Sequence, residues 1–166
     1  MSIFEYNGSA VVSMAGKGCV AIAADRRFGI QNQTVATNFQ RVFRMQDNIY
    51  IGLSGLATDV QTFHAILERK MNLFKLKEER EMTPTQFTHL VSHQLYKRRF
   101  GPFFVAPVVA GLENGKAILC NYDSIGCLSM DDEWTTAGTA DEFLMGACES
   151  LYQADQEPEE LFGTVS

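Results

Sequence analysis

The first predicted strand lies in the stretch Tyr6-Asn7-Gly8-Ser9-Ala10-Val11-Val12-Ser13-Met14. A second apolar run, Val20-Ala21-Ile22-Ala23, follows Ala15-Gly16-Lys17-Gly18, and glycines at this place are typical of a tight turn between paired strands. The two runs therefore predict a β-hairpin. The hairpin also raises a chemical question, because Ser9 is either the first residue of a strand or a nucleophile that cleavage after Gly8 would uncover.

Two helices are predicted after a further strand at 48–53. From Ala57 to about Glu79, apolar residues recur at helical offsets, which predicts a buried face made of Val60, Phe63, His64, Leu67, Met71 and Phe74. Thr83-Pro84-Thr85-Gln86 begins the second helix, because Thr83 can cap it, Pro84 suits its first position and Gln86 completes a capping box. The buried stripe of this helix is predicted to contain Phe87, Leu90, Val91 and Leu95.

The C-terminal half returns to strands and then to helices. Apolar runs at 104–112 and 116–122 flank Glu113-Asn114-Gly115, and an Asn-Gly pair in this position is typical of a hairpin turn. A strand at 134–136 precedes a helix after Gly138, and another helix begins at Pro158. We expect the first of these helices to bury a face with Phe143, Leu144, Ala147 and Leu151.

The order of elements predicts a layered α/β fold. Weaker strand candidates lie at 28–30 and 34–36, and the strand at 108–112 is apolar almost throughout. Such a strand is covered on both faces, so we expect two facing sheets with helices outside them. The chain stops inside its last helix at Ser166 without a cap or a polar tail, and we expect it to be C-terminally incomplete.

Composition restricts the classes of function. The 166 residues are 46% apolar, which predicts one domain spanning 1–166. A net charge of −6 argues against nucleic acid as a partner, and no apolar stretch approaches the length of about eighteen residues that a membrane helix needs. The four cysteines are widely spaced and fit a reduced intracellular protein, namely Cys19, Cys120, Cys127 and Cys148.

Three polar positions stand in the order that an N-terminal nucleophile requires. In such an enzyme, the free α-amine of a hydroxyl residue activates its own side chain, a buried cation lies nearby, and an acid orients that cation. Ser9 supplies the hydroxyl, Ala23-Ala24-Asp25-Arg26-Arg27 the acid, and Phe39-Gln40-Arg41-Val42-Phe43 the cation. Taken alone, an acid followed by two arginines at a strand end is more typical of a solvated turn or an ion-pair cluster than of a catalytic group, and Arg41 equally fits a surface charge.

The chain resembles the beta subunits of eukaryotic proteasomes, and among them the type-3 group, which belong to the N-terminal nucleophile hydrolases. The resemblance runs from about residue 3 to residue 166 and rests on Asn7-Gly8 and on 19–29, 55–62, 72–78, 97–103, 107–111 and 148–152. It implies a four-layer αββα sandwich that needs no metal and no organic cofactor. Family members continue with a further helix and closing strands, which the resemblance implies are missing here.

The resemblance also predicts that the site is inactive. Active members carry threonine at the position of Ser9, whereas type-3 members usually carry glycine and are not cleaved. Asp25 matches the family's acid, but Arg41 stands where active members have lysine, and Ala137 stands where they have a helper serine. We therefore expect a non-catalytic subunit with vestigial positions at Ser9, Asp25, Arg41 and Ala137, the alternative being an active hydrolase with Ser9 as nucleophile.

Partners are predicted from the resemblance as well. It implies contacts with the second and fourth beta subunits, the alpha ring, the opposite beta ring and unfolded polypeptide substrate, in cytoplasm and nucleus, as part of ubiquitin-dependent degradation. Asp123-Ser124-Ile125-Gly126-Cys127 would reach the trypsin-like site of the second beta subunit, with Asp123 and Cys127 lining its pocket. The alternative is that Asp123 only ends a strand and Cys127 is a small core residue.

Two further alternatives concern the histidines and the form of the chain. His89 and His93 have a spacing that suits metal binding, but no third ligand is evident, so we expect no metal there, and we expect His64 to be packed or at an interface. The chain is also compatible with a truncated form that does not assemble, because lost strands would expose sheet edges.

Overall fold

The computed structural model describes residues 2–131 and 133–166, within which four α-helices and ten β-strands are found. A short 3-10 helix, Ile3–Glu5, precedes them. The helices are α1 (Ala57–Glu78), α2 (Pro84–Tyr96), α3 (Asp141–Leu151) and α4 (Pro158–Val165). The strands are β1 (Ala10–Gly16), β2 (Cys19–Ala24), β3 (Phe28–Ile30), β4 (Gln33–Ala36), β5 (Val42–Gln46), β6 (Ile49–Gly55), β7 (Val105–Glu113), β8 (Lys116–Tyr122), β9 (Leu128–Asp131) and β10 (Trp134–Gly138).

The strands form two main antiparallel sheets and one small hairpin. One sheet has the order β10-β1-β2, the other the order β5-β6-β7-β8-β9, and β3 pairs only with β4. Val11 in the middle strand β1 lies opposite Ala137 on β10 and Ala24 on β2. The start of the chain is therefore held between a strand from its immediate hairpin and a strand more than a hundred residues away.

The two main sheets face each other, with a pair of helices outside each. Helices α1 and α2 pack on the five-stranded sheet, and α3 and α4 pack on the three-stranded sheet. Small side chains dominate between the sheets, among them Ala15, Ala110 and Ala137. The predicted four-layer αββα sandwich is confirmed.

The predicted buried faces of α1 and α2 are confirmed. Their apolar side chains join β6, β7 and β8 in the largest core, because positions three and four apart lie on one side of a helix. On α1 these residues are Val60, Phe63, Leu67 and Met71, and on α2 they are Phe87, Val91 and Leu95.

Two local signals in the sequence are also confirmed. Thr83 accepts a hydrogen bond from the Gln86 backbone, and the Gln86 side chain returns one from the Thr83 backbone, so the capping box is present. Asn114 and Gly115 both have positive φ, at 52° and 79°, as a two-residue hairpin turn with the twist of its strands requires.

The predicted buried face of α3 is wrong. Phe143 and Leu151 are exposed, and the helix instead buries Cys148, which packs with Val12, Met14 and Leu161. The apolar residues of α3 cover most of its circumference, so periodicity alone does not distinguish the side that faces the sheet. Strands β5 and β9 were not predicted, because both are short and only partly buried. Within the described part of the chain, no helix is long and apolar enough to cross a membrane.

Candidate functional site

The four positions predicted from the sequence come together where β1 begins. Ser9 directly precedes β1, Asp25 directly follows its antiparallel partner β2, and Arg41 directly precedes β5. Ala137 lies on β10, opposite Val11 of β1. Register within the three-stranded sheet therefore brings Ser9, Asp25 and Ala137 together, and the packing of the other sheet adds Arg41, which donates to the carbonyls of Gly8 and Asp25.

Ser9 is buried, and its polar atoms contact neutral groups. Its hydroxyl accepts a long hydrogen bond from the Gly55 backbone, with 3.4 Å between N and Oγ. Its backbone N–H donates to Thr139 Oγ1 at 3.0 Å, and the same Thr139 hydroxyl donates to the Ser9 carbonyl at 3.0 Å. Among the described residues, no titratable side chain hydrogen-bonds the Ser9 hydroxyl, so no general base is in place.

Arg41 is buried, with 2% of the residue exposed, and its guanidinium donates to three backbone carbonyls. Nη1 donates to the carbonyl of Asp25 at 3.1 Å, and Nη2 donates to the carbonyls of Gly8 at 2.8 Å and Arg27 at 2.7 Å. The interpretation of Arg41 as a surface charge is wrong. Its hydrogen bonds connect the segment before β1 with the segment after β2. One of the acceptors is the carbonyl of the Gly8–Ser9 peptide bond.

The charge of Arg41 is fixed by its chemistry and by its neighbour. Burial lowers the pKa of Arg41, the Asp25 carboxylate raises it, and Arg27 lowers it further. A guanidinium nevertheless stays protonated in proteins, so it does not take up a proton from a hydroxyl as a neutral amine does. Arg41 can bind and orient, but it cannot act as a base.

The Asp25 carboxylate is occupied by backbone donors. Oδ1 accepts from the Ala10 N–H at 2.8 Å, and Oδ2 accepts from the Arg27 N–H at 3.1 Å. The nearest guanidinium nitrogen of Arg41 lies 3.6 Å from Oδ1. Asp25 thus joins the start of β1 to the end of β2 and belongs to an ion-pair cluster, as one of the interpretations of the sequence expected.

The segment before Ser9 is tied to the fold by contacts that sequence reasoning missed. The buried Asn7 side chain donates to the Gly29 carbonyl at 2.8 Å and accepts from the Ala57 N–H, also at 2.8 Å. Arg27 donates to the Asn7 carbonyl at 3.1 Å. These partners are distant in sequence, so the only available signal was a polar residue followed by glycine ahead of an apolar run.

The other side of Ser9 is closed by β10. The methyl group of Ala137 is buried between the sheets against Val11 and Val108, and it offers no hydrogen-bonding group. At Gly138, which has φ of +112°, an added Cβ would lie 2.4 Å from the Ser9 carbonyl oxygen. The backbone therefore approaches Ser9 too closely for any side chain at position 138.

An open cleft of about 700 Å³ lies next to this arrangement. Gly55 and Gly138 line it, but Ser9 does not. Its walls carry four carboxylate side chains, namely Glu5, Asp123, Asp141 and Glu142. The cleft is acidic and adjoins the Ser9 position without exposing the hydroxyl.

The loop from Asp123 to Cys127 is compact and lies at the surface. Asp123 Oδ1 accepts from the backbone N–H groups of Ile125 at 3.0 Å and Cys127 at 2.8 Å, which is typical of an Asx turn. Ser92 on α2 donates to the Gly126 carbonyl at 2.6 Å and attaches the loop to the helix layer. Asp123 and Cys127 are both exposed, so the interpretation of Cys127 as a core residue is wrong.

The histidines lie apart from this site. His64 on α1 stacks on Phe43 with 3.9 Å between ring centroids, and burial lowers its pKa while Glu68 raises it. His89 and His93 are exposed on α2. In the regions 2–131 and 133–166, no three His, Cys, Asp or Glu side chains are grouped so that they could hold a metal ion.

Comparison with known proteins gives a consistent result. Residues 5–166 match the family profile described as proteasome subunit. The chain is 57% identical over 167 residues to the proteasome subunit beta type-3 of Picea mariana, with 100% of this chain and 82% of that protein covered. It is 51% identical, at the same coverage, to the probable proteasome subunit beta type-3 of Schizosaccharomyces pombe. The Saccharomyces cerevisiae protein of this name is 49% identical over 162 residues, with 96% and 78% of the two chains covered.

Proposed function

Because this chain belongs to the proteasome subunit family, we propose that it is a structural beta subunit of type 3 that does not itself cleave peptide bonds. In this role it occupies one place in the inner ring of the 20S core and forms part of the wall of the proteolytic chamber. The site residues then maintain the fold around β1, and the chemistry of the particle belongs to other subunits.

The observation that carries the proposal is the buried Arg41 guanidinium. Catalysis by an N-terminal nucleophile needs a group near the hydroxyl that can release and take up a proton. Arg41, which by the resemblance stands where active members carry lysine, is permanently charged, and it donates to the carbonyls of Gly8, Asp25 and Arg27. These contacts stabilise the uncleaved chain and supply no base.

The competing hypothesis is an active hydrolase with Ser9 as nucleophile. It requires a free α-amine at Ser9, but this nitrogen is a peptide N–H that donates to Thr139. It also requires substrate to reach the hydroxyl, which is buried. Removing one member of such a catalytic unit costs nearly as much activity as removing all of them, so the hydroxyl alone gives little support to this hypothesis.

Intact-mass measurement of the subunit in the assembled particle tests the proposal. We expect a chain that retains Gly8 and the residues before it, because Asn7 and Gly8 are held by Ala57, Arg27 and Arg41. The self-cleaved beta subunits of the same particle serve as the internal control. A mature N-terminus at Ser9 would overturn the non-catalytic assignment.

We further propose the partners and location that the resemblance implies. The chain would lie beside the second and fourth beta subunits, below the alpha ring and against the opposite beta ring, facing unfolded polypeptide, in cytoplasm and nucleus. It would act in ubiquitin-dependent protein degradation without a cofactor. The exposed large apolar side chains of both helical layers support a role that includes extensive subunit contacts.

The exposed loop supports a contribution to the neighbouring trypsin-like site. Asp123 and Cys127 would line one of its specificity pockets in trans, where a carboxylate favours basic side chains of the bound peptide. Asp123→Asn is an informative variant, because the amide oxygen can still accept from Ile125 and Cys127 while the charge is removed.

In particles that contain Asp123→Asn, we expect slower cleavage after basic residues, by about threefold to tenfold in kcat/KM, with cleavage after apolar residues unchanged. Asp155→Asn is the matched control, because Asp155 is also exposed and lies far along the chain after α3. Equal cleavage by the Asp123 variant and the control would remove Asp123 from the pocket.

A further inference from the structure

A small cleft with basic walls opens between the middle of α1 and the end of α2 and has a volume of about 260 Å³. Its walls carry Arg69 and Lys70 from α1 and Lys97 and Arg98 from the segment that follows α2. The buried ring of Phe103 also lines it. These five residues define what we call the basic cleft.

Among the described residues, the four positive charges of the basic cleft have no carboxylate as an ion-pair partner. All ion pairs of the described residues that have an N···O distance of 4.0 Å or less lie outside the cleft. On α1, Asp59 is engaged away from the cleft, because it accepts from the Phe104 N–H at 2.9 Å. A chain of net charge −6 thus concentrates unpaired positive charge in one place.

Helix ends do not account for this cluster. Basic residues at the C-terminus of a helix are favoured by its dipole, and this explains Lys97 and Arg98 after α2. It does not explain Arg69 and Lys70, which lie well inside α1. Arg98 is also held in position, because its guanidinium stacks over the Phe103 ring at 5.1 Å from the centroid.

Gln94 adds a neutral polar group to the same cleft. It lines the cleft from the buried side of α2, and only 8% of the residue is exposed. Its side-chain amide makes no hydrogen bond to another described residue. The amide is not fully enclosed either, so it remains in contact with solvent. The amide is therefore available to an occupant of the cleft.

We propose that the basic cleft binds an acidic peptide segment of a neighbouring subunit, whose carboxylates pair with the arginines and lysines of the cleft. This inference rests on the proposed function and adds the chemistry of one partner contact. The cleft is smaller than the sites of about 300–1,000 Å³ that hold small molecules, but it suits one or two side chains. Arginine pairs with carboxylates in a bidentate way, which gives such a contact its specificity.

A double charge reversal tests the proposal. Arg69→Glu with Lys97→Glu places like charges against the acidic segment, and we expect incorporation of the tagged chain into the core particle to fall about tenfold. Lys77→Glu with Lys116→Glu is the matched control, because both lysines are exposed, lie outside the cleft and change the net charge equally. Thermal unfolding of each chain alone separates a folding defect from lost binding.

Photo-crosslinking identifies the occupant. With a benzophenone amino acid in place of Lys97 in assembled particles, we expect a crosslink to a peptide of another subunit that contains at least two Asp or Glu residues. A crosslink only within this chain, to a segment without carboxylates or to nucleic acid would overturn the proposal, as would equal incorporation of the double variant and its control. Failure of the unmodified chain to enter the particle would instead contradict the proposed function.

Discussion

At the residue scale, the buried arginine determines what the site can do. Arg41 brings a permanent charge below the surface, and three carbonyls with the nearby Asp25 carboxylate compensate for its lost hydration. One of its nitrogens, Nε, is enclosed without a partner among the described residues. An arginine held in this way is a structural element of the chain, because its removal would leave several buried acceptors unpaired.

Replacing Arg41 should therefore destabilise the chain. For Arg41→Met we expect a loss of about 2–4 kcal/mol in the free energy of unfolding, measured by urea denaturation, because the carbonyls of Gly8, Asp25 and Arg27 lose their donors. Arg44→Met is the control, since Arg44 pairs with Asp47 at the surface, and it should change stability by less than about 0.5 kcal/mol. Similar losses in both variants would contradict a structural role for the buried guanidinium.

His64 should make stability depend on pH. Burial lowers the pKa of His64 below its ordinary 6.5, so the unfolded chain takes up a proton first as the pH falls. At pH 8 the ring is neutral in both the folded and the unfolded chain, so His64 does not reduce stability. Below about pH 6.5 the unfolded chain binds a proton more readily than the folded chain, and the free energy of unfolding falls. We expect His64→Phe, which can still stack on Phe43, to gain stability relative to the natural chain between pH 8 and pH 5. An unchanged difference in the free energy of unfolding at the two pH values would refute this.

At the scale of elements, the two sheets are held close by small residues. Gly52 on β6 faces the other sheet, and an added Cβ would lie 2.5 Å from Val11 Cγ1 and 3.2 Å from Ile22 Cδ1. The apolar strands β1, β2 and β6 can therefore meet only if this position lacks a side chain. This contact also keeps β1, and with it Ser9, against the five-stranded sheet.

A single methyl group at position 52 should disturb the packing of the sheets. We expect Gly52→Ala to lower the free energy of unfolding by about 1–3 kcal/mol, because the two facing side chains must leave their positions. Gly146→Ala is the control, since Gly146 is exposed on α3 with no atom within 4 Å of an added Cβ, and alanine favours helix by about 1 kcal/mol. Denaturant titration should thus give opposite signs, and a neutral Gly52 variant would argue against close contact of the sheets.

At the scale of the whole molecule, both outer layers present large apolar side chains to solvent. The exposed fraction is 94% for Phe100 and 78% for Leu76 beside the five-stranded sheet, and 83% for Phe143 and 72% for Phe162 beside the other. Single exposed residues are ordinary, but such rings on both helical layers are typical of surfaces that partners cover. They fit a subunit of a layered particle.

The isolated chain should therefore bind apolar dyes. We expect anilinonaphthalene sulfonate to fluoresce strongly with the isolated chain, and the Phe100→Ser, Phe143→Ser double variant to reduce this signal at least about twofold. Lys77→Ser with Lys116→Ser controls for surface changes that remove no apolar area. A signal that both double variants leave unchanged would show that these rings do not form the apolar surface.

The sequence by itself determined most elements of this protein, because their signals are local. Helical spacing in α1 and α2, the Thr83 cap and the Asn114-Gly115 turn each depend on residues within a few positions of one another, and the structure confirms them. Only the tertiary structure decided which face α3 buries, that Arg41 lies inside, and that Asn7, Arg27 and Thr139 hold the chain around Ser9. These outcomes depend on sheet register and on partners distant in the chain, and the pattern of a single segment contains no information about the far side of such a contact.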